Sequence, residues 1–441
     1  MKLIFDIETD DLNATKIWCI VCKDVESGEI HKFTPDKIKE GIALLQRADT
    51  LIGHNIIGFD IPVITDITGV DLGGKQIVDT LVMSRLFNPV RDKGHSLEIW
   101  GRRLKFPKLE YKEFSNYSNE MLEYCVNDVE LNAVVYTYLL DEGKDFLQES
   151  VDIEHEVFKI MKQQETNGFK FNNIEASIFV ATLREKLQAI EEEVQKVFVP
   201  KWVDIKEVTP KLKKDETLSK QGLTDYEYAD IQVTGSMEPF MRKKLMDFNL
   251  GSRKQIGEYL ISFGWKPKKF TPTGQPIVDE GTLGTVKGIP EAMLIAEYLL
   301  LQKRIAQITS WLEAVKEDGR VHGFVIPNGT ITGRMTHRNP NMAQVPSIGA
   351  KYGKECRGFW IVDDGNKLVG IDASQLELRL LAHYMNDEEY TYEITKGDIH
   401  THNQNLAGLK SRDEAKVFIY ALCYGAGNKK LGTLVGGNAG R

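Results

Sequence analysis

Nothing in the sequence approaches the roughly 18 consecutive apolar residues that a membrane-crossing helix requires. The chain opens Met1-Lys-Leu-Ile-Phe and meets Asp6 and Glu8 too early for a signal peptide. A cytoplasmic protein is therefore expected. Cysteine is scarce. Cys19, Cys22, Cys125, Cys356 and Cys423 are an odd set scattered through apolar surroundings, which argues against a disulfide framework and fits reduced, buried thiols. Only Cys19-Ile-Val-Cys22 has metal-like spacing, and with no second Cys/His pair beside it a zinc site is not expected there. An excess of positive charge is also missing: 56 Lys and Arg stand against 64 Asp and Glu, a net charge of −8. Any grip on nucleic acid must come from local stripes of Lys and Arg.

The length of 441 residues suggests about three domains. Residues 3–7 read as a buried strand, with Asp6 and Glu8 projecting from one face. Two carboxylates on one edge repel unless a cation joins them, which hints at a metal site. Further strands are expected at 18–23, 30–33 and 51–54, the last leading into Asn55-Ile-Ile-Gly-Phe-Asp60, with helices at 37–46, 79–87, 96–103 and 119–140. The last of these carries Tyr124 and Asp128 four apart on one face. An α/β sheet results. The polar stretch 144–154 places a boundary near 147, helical patterns follow at 156–162 and 174–198, and 200–219 reads as an exposed excursion.

From Met241 to Phe270, eight Lys or Arg face two acids, with Trp265 among them. This basic patch suits phosphates, and a solvated charged face has the same composition. Residues 292–315 read as one long amphipathic helix whose Leu294, Tyr298, Leu301 and Ile305 form a core stripe. The run 328–346 mixes turn formers with amides and Arg and has little to bury, as loops that serve a ligand do. Ser411 caps a helix that ends at Gly425 and Gly427. Arg412, Lys416, Tyr420 and Tyr424 recur every four residues along one face of it. Cations followed by rings suit a nucleotide; an amphipathic helix with snorkelling cations gives the same pattern.

Leu368-Val-Gly-Ile-Asp372, an apolar strand-like run, leads into a helical pattern carrying Glu377 and Arg379. Together with the helix after Ser411 it resembles motifs A and B of family A DNA polymerases, and Gly397-Asp-Ile-His400 resembles the fingers segment between them. Asp6-x-Glu8, His54-Asn55 with Asp60, and Tyr124-x-x-x-Asp128 resemble the three motifs of ribonuclease H-like proofreading exonucleases. Asp79-Thr-Leu-Val-Met-Ser-Arg-Leu and Leu97-Glu-Ile-Trp-Gly resemble the replicative bacteriophage type. The resemblance runs through the whole chain. It implies an α/β and α+β multidomain fold: a ribonuclease H-like 3′→5′ exonuclease domain (1–147), a mostly helical thumb (148–320) with an excursion near 199–247, a partial palm (321–390) and partial fingers (391–441) of a right-hand polymerase acting in an infected bacterial host. It also implies DNA primer–template, single-stranded 3′ ends and deoxynucleoside triphosphates as partners, with two Mg²⁺ or Mn²⁺ ions per active site. Asp6, Glu8, Asp60 and Asp128 would hold the exonuclease ions and Tyr124 would orient the attacking water. Asp372 and the Ala373 carbonyl would hold the polymerase ions.

By the same resemblance Glu377 crowds the sugar 2′ position, His400, Arg412 and Lys416 hold the triphosphate, Tyr420 stacks on the incoming nucleotide, and Tyr424 with Gly425 shapes the template-base pocket. Ser252 and Arg253 would touch duplex phosphates, and Arg334, Asn341 and Gln344 would touch base edges in the minor groove. The thumb excursion is shorter than the insertion with which a phage relative binds thioredoxin, so a thioredoxin-like processivity factor is not expected. The family's second palm carboxylate lies within His-Asp-Glu, and no His-Asp pair occurs in the sequence. The expectation is therefore an N-terminal polymerase part completed by a second polypeptide, or a truncated sequence, with little synthesis of its own; a free-standing exonuclease with a DNA-binding appendage is the alternative.

Overall fold

The structure is a computed structural model and describes residues 1–434. The chain divides into two compact units, Met1–Asp364 and a second from Gly365 onward. Among the described residues no helix is long and apolar enough to cross a membrane.

The first unit begins with a five-stranded sheet built on β1 (Lys2–Thr9), whose Leu3, Ile4, Phe5 and Ile7 are buried on both faces, as a central strand requires. β2 (Ile17–Asp24) pairs antiparallel with β1, and β3 (Ile30–Phe33) with β2. After α1 (Ile38–Arg47), β4 (Thr50–Gly53) runs parallel to β1. α2 (Asp60–Thr68) leads to β5 (Gln76–Asp79), which closes the order β3-β2-β1-β4-β5. α3 (Thr80–Phe87), α4 (Leu97–Leu104) and α5 (Asn119–Glu142) follow. Leu3, Phe5 and Ile7 face one layer of the core with Leu45, Ile64 and Phe158. Ile4, Cys19, Val21 and Ile52 face the other, against Cys125 and Val129 of α5. Cys19 and Cys22 thus enter different layers and share no site.

α6 (Gln148–Asn167) starts earlier than its periodicity suggested, and its Phe158 is built into the sheet's core. The boundary expected at 147 therefore precedes a helix that the first layer holds. β6 (Phe169–Lys170) and α7 (Asn173–Gln195) come next. The excursion expected at 200–219 is exposed, and part of it is regular structure. β7 (Lys201–Val208) and β8 (Phe240–Met246) form an antiparallel ribbon, with α8 (Asp225–Thr234) in the connection. Trp202, Val203 and Ile205 are all exposed on a ribbon with both faces in solvent, so no apolar period announces it. α9 (Arg253–Ser262), α10 (Glu280–Leu283) and α11 (Glu291–Glu313) complete a helical layer in which α7 packs on α11. β9 (Arg320–Val321), the antiparallel pair β10 (Phe324–Ile326) and β11 (Thr336–Arg338), and α12 (Gly353–Gly358) end the unit.

The second unit contains α13 (Leu376–Met385), α14 (Glu388–Thr395), α15 (Ile399–Ala407), α16 (Arg412–Cys423) and α17 (Asn428–Leu434). Its core is small: Leu378, Ala382, Ile394, Ile399 and Ile419. The strand expected at 368–372 is not formed. Leu368, Val369 and Ile371 are exposed and irregular, because a strand persists only against a ladder partner and none is present among the described residues.

Candidate active site

β1 delivers Asp6 and Glu8 to the face that α5 covers, and Glu8 is only 7% exposed. Asp60 arrives from a separate turn. After β4, Asn55 adopts a left-handed φ of 68°, and Asp79 braces the turn, its two oxygens accepting from the Asn55 N–H (2.8 Å) and the Ile57 N–H (3.1 Å). Asp60 then opens α2, and its Oδ1 accepts the Ile7 N–H at 3.2 Å, beside Asp6 and Glu8 on β1. Ser118 caps α5, which brings Tyr124 and Asp128 in one turn apart. His54 stands behind, with Nδ1 2.9 Å from the Thr80 hydroxyl.

Burial pushes the Asp6 carboxyl well up, and Asp60, Glu8 and Asp128 push it further. Glu8 is raised to about 9 by burial first, then by Cys19, Asp128 and Asp60. Burial raises Asp60 to about 7 against the hydrogen bonds it accepts. Asp128 is raised by burial while Lys108 opposes the shift. Tyr124 is raised by burial, then by Asp128, Glu8 and Asp6. The four acids thus share one field of mutual repulsion, which a divalent cation relieves; hard oxygen donors in this arrangement fit Mg²⁺ or Mn²⁺.

The sequence reading missed two members of this site. Lys108 donates to both oxygens of Asp128 (2.6 and 2.5 Å) and to the Tyr124 hydroxyl (3.2 Å). It lies in a loop, where no periodicity marks a functional cation. Cys125 is the other. The tight group of metal-ligating atoms found among the described residues is Asp6, Glu8 and Cys125, all within 4.8 Å of one another. Asp60 and Asp128 lie outside that trio and act on it through charge. A cleft of about 600 Å³ beside Tyr124 is lined by Arg102, Lys105, Lys108, Tyr111 and Lys112, together with Glu98, which pairs with Arg102, and Glu110.

In the second unit, Asp398 caps α15 and holds Arg412, the first residue of α16, at 2.8 and 3.1 Å. His400 is 3% exposed, its ring 6.2 Å from that of Tyr420, which stacks on Tyr424 at 6.4 Å. Burial, Arg412 and Lys416 hold His400 below its ordinary pKa. The Tyr424 hydroxyl donates to Glu377 at 2.6 Å, and Gly425 takes a φ of 74° just beyond the helix. Glu377, His400, Arg412, Lys416, Tyr420 and Tyr424 are therefore brought together. Asp372 and Ala373 are exposed, and among the described residues no metal-ligating group includes Asp372.

The predicted DNA contacts lie in the first unit. The Ser252 hydroxyl is used as the cap of α9, accepting the Gln255 N–H, with Arg253 beginning the helix. Arg334 follows the turn 330–333, Asn341 accepts the Ala343 N–H, and the Gln344 carbonyl accepts from Gln307.

The sequence model of DNA polymerase family A matches residues 231–439. The DNA-directed DNA polymerase of Enterobacteria phage T3 is 32% identical over 98% of this chain and 77% of its own length. The chain belongs to DNA polymerase family A. The DNA-directed DNA polymerase of Escherichia phage T7 matches this family A chain at the same identity and coverage. Both alignments span 544 residues, more than the 441 of the chain, so those relatives carry inserted segments that it lacks. The POL domain of Pol1 from M. smegmatis, solved in complex with DNA primer–template and dNTP, superposes with a TM-score of 0.73 over 99% of this chain and 70% of that one. At 16% identity this is a likeness of fold.

Proposed function

We propose that this family A polymerase chain hydrolyses DNA from its 3′ end at the site between β1 and α5. One observation carries the reading: four carboxylates from three separate elements converge in a buried place with a tyrosine and a lysine. A fold does not bury such a group for stability, because each acid raises the cost of ionising the others. Asp6, Glu8, Asp60 and Asp128 would hold the divalent ions, which when bound supply a Lewis acid and a more acidic water. The chain's own residues do the rest. Tyr124, its hydroxyl hydrogen-bonded by Lys108, orients the attacking water. The Lys108 ammonium sets a positive charge where the phosphate gains negative charge. The basic and aromatic cleft receives the strand end without reading its sequence, since phosphates and stacked rings are alike in every sequence. The test is Mg²⁺-dependent release of nucleotides from the 3′ end of labelled single-stranded DNA. The Asp6→Ala, Glu8→Ala double variant should lose at least about 10³-fold in rate. Digestion at the parental rate would refute the assignment.

A second activity, template-directed synthesis, is favoured by the convergence of His400, Arg412, Lys416, Tyr420 and Tyr424. Charge-assisted hydrogen bonds from Lys416 would hold a triphosphate. Lys416→Ala should weaken deoxynucleotide binding by about 1.5–3 kcal/mol in the presence of primer–template and leave 3′ hydrolysis unaffected. Primer extension measured alongside decides whether binding leads to synthesis.

A further inference from the structure

The close group of possible metal-ligating atoms at the β1 site includes sulfur. Cys125 lies next to Tyr124 on α5, fully buried, with its Sγ 3.6 Å from Asp6 Oδ2 and 3.5 Å from the Asp6 carbonyl. Asp6, Glu8 and Cys125 place their ligand atoms within 4.8 Å of one another. A second thiol adjoins them. Cys19 faces Glu8 across the β1–β2 ladder, on the same side of the sheet, and packs in the same core layer as Cys125. Tetrahedral zinc, with bonds of about 2.3 Å to sulfur and about 2.0 Å to oxygen, sets the two ligand atoms about 3.5 Å apart. The observed 3.6 Å between the Cys125 sulfur and Asp6 Oδ2 is close to that edge. Mg²⁺ coordinates oxygen and has little affinity for sulfur, whereas Zn²⁺ and Cd²⁺ accept both.

We propose that this site takes thiophilic divalent ions of the Zn²⁺ and Cd²⁺ class through Asp6, Glu8 and the Cys125 sulfur, with Cys19 beside them, in competition with the oxygen-bound ions of hydrolysis. The proposal rests on reading the site as a divalent-metal centre. As the metal–sulfur bond forms, the S–H bond breaks and its proton leaves to solvent. The bound ion engages the two carboxylates on β1, so thiophilic metal at low concentration inhibits Mg²⁺-supported hydrolysis.

The probe is Cd²⁺, titrated into the whole chain in Mg²⁺-free buffer and read by thiolate-to-cadmium charge-transfer absorbance. A saturable band is expected in the parent, kept in Cys423→Ser, whose cysteine is exposed and in the other unit, and lost in both Cys125→Ser and Cys125→Ala. A parent without the band, or a band that survives either Cys125 substitution in a folded variant, overturns the proposal. Zinc X-ray absorption on the Cys423→Ser chain avoids any change at the site: a sulfur neighbour at about 2.3 Å is expected, and oxygen or nitrogen neighbours alone would overturn the idea. In the hydrolysis assay, Cys125→Ser should need at least about tenfold more Zn²⁺ for half-inhibition than the parent, the scale on which a lost metal-supporting group shows itself. A parent that gives the band yet digests no DNA would remove the exonuclease reading and leave the thiol site standing.

Discussion

At the residue scale, the site between β1 and α5 joins groups that the sequence displays with groups that it hides. Asp6 and Glu8 alternate on a strand and Tyr124 and Asp128 recur on a helix, so their faces follow from period alone. Lys108 and Cys125 do not. One sits in a loop and the other looks like any core thiol, and only the packing of α5 on the sheet gives them a neighbour. His54, by contrast, was visible in the sequence beside Asn55. Its Nε2 is buried without a partner, and burial, followed by Arg85, lowers its pKa from 6.5 to about 3. The unfolded chain then binds a proton below about pH 6.5 that the folded chain refuses until about pH 3. His54 therefore contributes stability that is fully present above 6.5 and is lost as pH falls from there toward 3, by up to about 1.4 kcal/mol per pH unit. His54→Gln, neutral at every pH, should flatten the fall in melting temperature between pH 7 and pH 5 relative to the parent. Parallel curves for the two proteins would show that His54 carries no such linkage.

At the element scale, the strands and helices of the sheet domain were legible because each buries one face or two against a layer. The ribbon of β7 and β8 was not, since it has no layer behind it, and the apolar run 368–372 was misread because no ladder partner for it is present among the described residues. α6 is the instructive case. Its first half is polar, yet His155 donates from Nδ1 to the Val151 carbonyl (2.7 Å), which leaves Nε2 to accept the Asp79 N–H at 2.8 Å. Asp79 in turn braces the turn that presents Asp60. The helix that seemed to open a new domain thus supports the site from behind. Phe158, one turn further on and 1% exposed, anchors it. Phe158→Ala should cost about 3–5 kcal/mol in urea unfolding and should also slow 3′ hydrolysis, because the brace on Asp79 loosens. Full hydrolysis by a folded Phe158→Ala protein would mean that α6 is a passenger on the sheet.

At the scale of the whole molecule, a net charge of −8 repels the DNA backbone, so attraction has to come from where cations concentrate. Not every cation of the basic patch is available. Arg242 is held by Glu227 at 2.7 and 2.5 Å, and Lys243 lies 3.7 Å from Asp204. Lys266, Lys268 and Lys269, after α9, are exposed with Trp265 half-buried among them. A protein that grips duplex through such groups releases condensed counterions, and its affinity falls steeply between about 50 and 200 mM salt. Each lysine that touches a phosphate contributes about one unit to the slope of log affinity against log salt. Lys266→Ala with Lys268→Ala should therefore weaken primer–template binding equally for unrelated sequences and reduce that slope by about two. Fluorescence anisotropy of a labelled primer–template over a salt series measures both effects. An unchanged slope would place the duplex elsewhere on the molecule, and a loss that depended on sequence would mean that these lysines reach bases rather than phosphates.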